Sequence, residues 1–282
     1  MNSFYTSRIR KSLDYIEDNL DKAITLEDIA SRAHYSPYHF HRLFSEFCGE
    51  TPGNFINRIR LEKAAWHLIH CEDLTITDVL YKLGYSSPQT FSRAFKQFYS
   101  LSPREYRVKY KPKATYKKNP RFFDSLKITI EKQPSVKVAY IDSMQGYDSN
   151  LISSNWERLL NWAHSEGLDS KALKMGISYD DPDFSEPQKN RHKVCIEIPE
   201  ELEPPPHMGT MRVNDTPIAC LSLKGYPKDI KDGFMFMYNH WLPKNSFYPS
   251  MKPPYEAYRS LDVKGINNIT LCIPIRKHSK IC

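Results

Sequence analysis

The chain has 282 residues, 40% of them hydrophobic and 26% charged, and carries a formal net charge of +7. That length allows two domains with a core each, and the lack of any apolar run near about 18 residues argues against a membrane-spanning helix. The opening Met1-Asn2-Ser3-Phe4-Tyr5-Thr6 has no apolar signal core, and the six cysteines form no C-x-x-C pair, so reduced thiols in a cytoplasmic protein are expected.

In chain order, Thr25 opens a short amphipathic segment, Leu26 to Ala33, which is followed by a turn at His34-Tyr35 and by Ser36-Pro37-Tyr38-His39-Phe40-His41-Arg42-Leu43-Phe44-Ser45-Glu46-Phe47. Ser36 is suited to cap a helix and Pro37 to its first turn. Phe40, Phe44 and Phe47, at i, i+4 and i+7, are expected on one buried face, with Arg42 off that stripe. The same grammar returns 51 positions later as Ser87-Pro88-Gln89-Thr90-Phe91-Ser92-Arg93-Ala94-Phe95-Lys96-Gln97-Phe98, after Thr75, Ile76 to Leu83 and Gly84-Tyr85-Ser86. A short capped helix, a tight turn and a second helix with an exposed basic side make a helix-turn-helix, and self-similarity at a fixed offset makes two of them. Between them Pro52 to Ile69 reads as one connecting helix. At about 1.5 Å per residue its roughly 18 residues reach about 27 Å, close to the pitch of one DNA turn at about 34 Å, so one chain could meet two successive major grooves.

Residues 1 to 121 hold 20 Lys and Arg against 13 Asp and Glu, whereas residues 122 to 282 are balanced at 20 and 20. The whole positive excess therefore lies in the half that carries the repeat, as a polyanion-binding module requires. From Arg107 to Arg121 the chain is basic, broken by proline and without periodicity, and reads as a linker.

Residues 1 to 110 resemble the DNA-binding domain of AraC/XylS transcription regulators, in the duplicated unit, the connecting helix and the closing stretch from Gly84-Tyr85 to Ser102-Pro103-Arg104-Glu105-Tyr106-Arg107. The resemblance implies base contacts from Tyr38, His39, His41 and Arg42 in the first recognition helix and from Gln89, Thr90, Ser92 and Arg93 in the second. Pro88 stands where some relatives have a polar residue. It also implies double-stranded DNA and RNA polymerase as partners and, by analogy, activation of transcription.

Beyond the linker the pattern changes to strands, first Lys127 to Glu131 and Val136 to Ile141. A helix from Ser154 to Ser165 and strands at Lys174 to Tyr179 and Lys193 to Ile198 follow. A second unit repeats the order: a strand at Ile218 to Leu223, a helix from about Gly233 to Leu242, and strands at Glu256 to Leu261 and Asn268 to Ile275. The predicted fold is therefore an all-α double helix-turn-helix domain (1–110), a basic linker (111–121) and an α+β domain of two strand-helix-strand-strand repeats (122–282). The two sheets could meet back to back or edge to edge. The loops Asp180 to Lys189 and Pro199 to Met208, rich in Asp, Glu and Pro, read as surface connections.

This second half resembles the GyrI-like effector domain, in its duplicated order, in Pro253-Pro254-Tyr255-Glu256-Ala257-Tyr258 entering a strand, and in the closing Ile273-Pro274-Ile275-Arg276-Lys277. The resemblance implies a lipophilic, often cationic, small-molecule effector, with Glu256 facing an aromatic site for which Tyr258, Trp156, Tyr226 and Trp241 are the candidate walls. A carboxylate among rings suits an organic cation. Taken by themselves, Glu256 also fits a solvated strand and the aromatics a core. Two alternatives stand beside a sensor: a C-terminal domain that docks a protein, and a GyrI-like hydrolase. No phosphate loop, nucleophile elbow or H-E-x-x-H motif is present, so no catalytic residue and no cofactor are assigned. The histidines suggest no metal set, because the spacing of His39 and His41 puts them on different sides of a helix. No membrane partner is expected.

Overall fold

The computed structural model describes residues 3–71, 74–110, 127–132, 134–144, 146–168, 170–213, 216–225, 229–245, 247–258, 261 and 267–277. It divides into two compact units, Met1–Pro112 and Lys113–Cys282. The expected linker, 111–121, lies outside the described residues, but its expected start does not: Arg107 to Tyr110 form the end of a helix.

Among the described residues the N-terminal unit has seven helices: α1 (Ser3–Asp18), α2 (Leu26–Arg32), α3 (Pro37–Cys48), α4 (Pro52–His70), α5 (Ile76–Lys82), α6 (Pro88–Tyr99) and α7 (Pro103–Tyr110). α1 was not anticipated, although Ile9, Leu13, Ile16 and Leu20 recur at helical spacing and are all buried. The Ser12 hydroxyl ties it to α2 by donating to the Ile29 carbonyl at 3.0 Å.

The duplication extends to the N-terminal caps of the helices. The hydroxyls of Thr25 and Thr75 each accept from the amide of the aspartate three residues on, and the threonine amides donate to the carboxylates of Asp28 and Asp78 at 2.9 and 2.8 Å, closing a reciprocal box at each helix start. Ser36 and Ser87 cap α3 and α6 from the expected positions. Each turn contains one left-handed residue, His34 at φ 55° and Gly84 at φ 71°. The following amides, of Tyr35 and Tyr85, donate back to the carbonyls of Ala30 and Leu80 at 3.1 Å.

α4 is the connecting helix. Its 19 residues span about 28 Å, and it is buried on several sides at once. Arg58 is buried on it between two carboxylates, reaching Glu50 at 2.6 Å and Glu62 at 3.1 Å. Arg60 leaves α4 to donate to the Leu20 carbonyl at 3.1 Å and to the Lys22 carbonyl. At the far end, Arg107 of α7 donates to the carbonyls of Leu68 and Leu74 at 3.1 and 2.8 Å. These bonds clamp the two helix-turn-helix units to one rod.

The C-terminal unit is built on an antiparallel sheet that has nine strands among the described residues: β1 (Ile128–Lys132), β2 (Val136–Ser143), β3 (Lys174–Ser178), β4 (His192–Glu197), β5 (Gly209–Val213), β6 (Pro217–Gly225), β7 (Phe247–Pro249), β8 (Tyr255–Tyr258) and β9 (Asn267–Lys277). Their order is β1-β6-β9-β8-β3-β4-β2-β5, with β7 paired to β9. The two repeats are β2–α8–β3–β4, where α8 is Ser149–Ser165, and β6–α9–β8–β9, where α9 is Asp229–Phe236. α9 continues through a π-helical turn, Met237–Trp241, and a short helix, Leu242–Lys244.

The repeats join edge to edge through the β3–β8 pair, with Gly176 opposite Glu256. Alternation along the strands separates two apolar clusters. Ala139, Ile141, Val194, Ile196 and Leu271 pack with Trp156, Leu159, Phe236 and Met237 from the helices. Val138, Tyr140, Cys195, Cys220, Tyr255 and Cys272 form the cluster on the other face. The cysteines described, Cys48, Cys71, Cys195, Cys220 and Cys272, are thiols outside any disulfide. The loop from Asp180 to Lys189 lies at the surface as expected, with Pro182, Asp183, Glu186, Pro187 and Gln188 exposed, but the Asp180 side chain at its start does not. Asp180 is buried and receives Arg191 at 2.6 Å, and burial raises the Asp181 carboxyl above its ordinary range.

Candidate nucleic-acid interface and effector site

On α3, Tyr38 is 82% exposed, and His41 and Arg42 also face solvent. His39 is half-buried, with its ring edge-on to Tyr35 at 5.0 Å, while the Arg8 guanidinium lies over the same tyrosine at 5.1 Å. Part of His39 is therefore committed to holding the turn.

On α6, Gln89, Thr90 and Arg93 are exposed and Ser92 is half-buried. The Thr90 hydroxyl is engaged with Ser87 at 2.9 Å. Lys96 and Gln97 are also exposed and lie one turn beyond Arg93 and two beyond Gln89, so the outward stripe of α6 is longer and more basic than the residues singled out from sequence. Helical spacing alone could have found them. The buried stripe is correspondingly shorter: Phe91 and Phe95 are fully buried, but Phe98 is 39% exposed and rests on Tyr99 at 4.9 Å.

The second site lies where the two repeats meet. Glu256 alternates with Tyr255 and Ala257, so it points with Tyr258 toward the helices, whereas Tyr255 joins the opposite cluster. Tyr258 meets Trp156 of α8 edge-on at 5.8 Å, and burial, helped by the neighbouring Glu256 charge, raises its phenol.

Glu256 itself is only 6% exposed. Its Oε1 lies 3.6 Å from Nε2 of His192, too far for a direct hydrogen bond, and its Oε2 is buried with no hydrogen-bond partner among the described residues. Gly176 makes room for the carboxylate, since a Cβ there would stand 2.3 Å from Oε1 and 3.2 Å from the His192 ring. Tyr147 closes the side, edge-on to His192 at 6.1 Å, with its hydroxyl donating to the Asp180 carbonyl. Burial raises the Tyr147 phenol.

Glu256, Tyr258 and Trp156 thus come together as a group. Trp241 stacks on Phe247 at 6.0 Å, and Tyr226 lies outside the described residues. His192 and Gly176 were not foreseen, because strand register rather than local pattern brings them to Glu256.

A buried carboxylate oxygen without a partner beside aromatic rings has the chemistry to accept from a donor or to pair with a cation. The model of the GyrI-like small molecule binding domain matches residues 126–276, and that of a helix-turn-helix domain matches residues 29–109. The chain belongs to the GyrI-like family. Its N-terminal unit is an AraC-type DNA-binding domain, so this GyrI-like protein is a transcription regulator with a small-molecule-binding domain.

It is 38% identical over 104 residues to the transposon Tn10 TetD protein of Escherichia coli, covering 37% of this chain and 75% of that protein. It is 34% identical over 105 residues to the HTH-type transcriptional activator AarP of Providencia stuartii, covering 37% and 77%. With the regulatory protein PocR of Salmonella typhimurium it shares 35% identity over 103 residues, which are 36% of this chain and 34% of that one. No helix among the described residues is long and apolar enough to cross a membrane.

Proposed function

We propose that this regulator is a cytoplasmic activator that reads an asymmetric duplex site with α3 and α6 and senses a lipophilic cation held at Glu256. The observation that carries the sensing half is the buried Glu256 Oε2, which has no partner among the described residues. An ionised oxygen withdrawn from water is costly unless a charge or donor meets it, and the rings of Tyr258 and Trp156 add face-on attraction for a cation.

For the DNA half, Tyr38, His41 and Arg42 of α3 and Gln89, Arg93 and Lys96 of α6 are the groups free to enter grooves. His39, Thr90 and Ser92 are placed to position them and to contact the backbone. Activation is supported by the activator AarP among the relatives, and it implies a contact with RNA polymerase. The exchange of Glu256 for Gln tests the reading, because it keeps the shape and removes the charge. Affinity for a lipophilic cation should fall by about 1.5 to 3 kcal/mol while a neutral compound of the same shape is spared. Equal losses for both, or none for either, would return Glu256 to a structural role.

A further inference from the structure

We propose that this protein associates with a second copy of itself through the outer edge of β1. β1 ends the sheet: among the described residues it pairs with β6 and with no other strand. Its outer edge therefore presents backbone N–H and C=O groups as a template for a further strand. Ile130 on this strand is 50% exposed, the one large apolar side chain among the described residues of the C-terminal unit that stands so far in water. Natural sheet edges are commonly guarded by a charge or a proline within the strand. The opposite edge follows that rule, since β5 carries Arg212 within it, exposed and ion-paired to Glu200. β1 does not. Its charges, with that of Lys127 just before it, lie at the ends, and Ile128-Thr129-Ile130 between them has none.

The partner that fits this edge is the same edge of another copy. Two antiparallel strands related by a two-fold axis normal to the sheet set one residue opposite itself, and that residue defines the register. With Thr129 on the axis, Lys127 faces Glu131 of the second copy and Ile128 faces its Ile130, and both contacts recur on the other side of the axis. Centring on Ile130 sets Ile128 against Lys132, and centring on Glu131 sets like charges face to face. The Thr129 register alone pairs both charges with their opposites and the isoleucines with each other. The Thr129 hydroxyl already holds Glu131 along the strand, donating to its Oε1 at 2.8 Å. The same axis leaves the helix-bearing faces of both copies on one side. Ile128, which packs on the apolar cluster under the helices, and Ile130, two residues on, then continue that layer across the joint. An edge this short buries less than the roughly 1,200 Å² of a standard interface, so free chains associate weakly, and more strongly where DNA holds two of them close. Each copy keeps both of its recognition helices, so a pair carries two duplexes with one chain on each.

The test is analytical sedimentation of the full chain from micromolar to sub-millimolar concentration. The unsubstituted protein should move with concentration toward twice the mass of one chain. Lys127→Glu and Glu131→Lys, each made alone, set like charges opposite each other at both ends of the pairing and should weaken association about 10- to 30-fold. An equimolar mixture of the two variants should restore it, because every lysine then meets a glutamate of the other chain. The double exchange, Lys127→Glu with Glu131→Lys, should associate like the unsubstituted protein. Both positions are exposed, and recovery on mixing excludes loss of the fold as the cause of the single defects. A protein that stays single over the whole range would overturn the inference. Association that ignores the single exchanges, or that mixing fails to restore, would overturn it too, by placing the contact on another surface or in another register.

Discussion

Asp28 and Asp78 show how much of this protein is written at single residues. In Asp28 the backbone amide of Thr25, then its hydroxyl, lowers the carboxyl below its ordinary value; in Asp78 the hydroxyl of Thr75 leads and the amide follows. A carboxyl whose folded-state value is depressed contributes stability that is present above its unfolded value, near 4, and is lost as the pH falls through the folded one. The unfolding temperature of the N-terminal unit should therefore drop as the pH is taken below about 4, and Asp28→Asn with Asp78→Asn should flatten that part of the profile. Removing one cap outright, Thr75→Ala, should cost about 1 kcal/mol in denaturant titrations.

Arg42 belongs to the same scale: Arg42→Ala should lose about 1 to 3 kcal/mol and relax preference at one base position in competition against substituted duplexes. A uniform loss over all sequences would make it a phosphate contact. These residues were legible because capping boxes and exposed helix positions follow from spacing within a few residues. His192 was not, since it reaches Glu256 only through the pairing of β4 with β3 and of β3 with β8.

Among the elements, the two turns show why duplicated segments need not carry the same residue. His34 and Gly84 both take a left-handed backbone, which histidine tolerates when the surroundings are open. Gly84 has a second constraint, because a Cβ there would stand 2.7 Å from the Arg60 guanidinium and 2.8 and 2.9 Å from the carbonyls of Leu20 and Lys22. Gly84→Ala should then destabilise the N-terminal unit by about 2 to 4 kcal/mol, the sum of left-handed strain and overpacking. Chemical denaturation measures this, and a loss under about 0.5 kcal/mol, the level of an uninvolved surface substitution, would show that the Arg60 clamp yields freely.

The helices with caps and apolar stripes were readable in advance. The misses have identifiable causes. Arg107 to Tyr110 is basic and polar, so its helix depends on the bonds of Arg107 to the end of α4 rather than on periodicity. β5 and β7 are short, with Gly209 and Pro249 at their ends, and only their neighbours in the sheet make them strands. The burial of Asp180 depends on Arg191, 11 residues away, which no loop composition reveals.

At the scale of the whole molecule, both units are duplications, and both put their candidate sites where the copies face one another or act together. In the C-terminal unit the joint is the β3–β8 pair that carries Gly176 and Glu256. In the N-terminal unit it is α4, whose bonds through Arg58, Arg60 and Arg107 fix the two recognition helices on a rod of about 28 Å. The repeated order of elements was visible in sequence in both halves, while the edge-to-edge joining of the sheet had to come from the structure.

The most direct test of the account is the stoichiometry and footprint of the full chain on duplexes selected by it from a random pool. One protein per duplex is predicted, with protection on one DNA face over two major-groove segments about one turn, or 34 Å, apart and with unlike half-sites. Two chains bound to a palindrome, each contributing a single recognition helix, would contradict it.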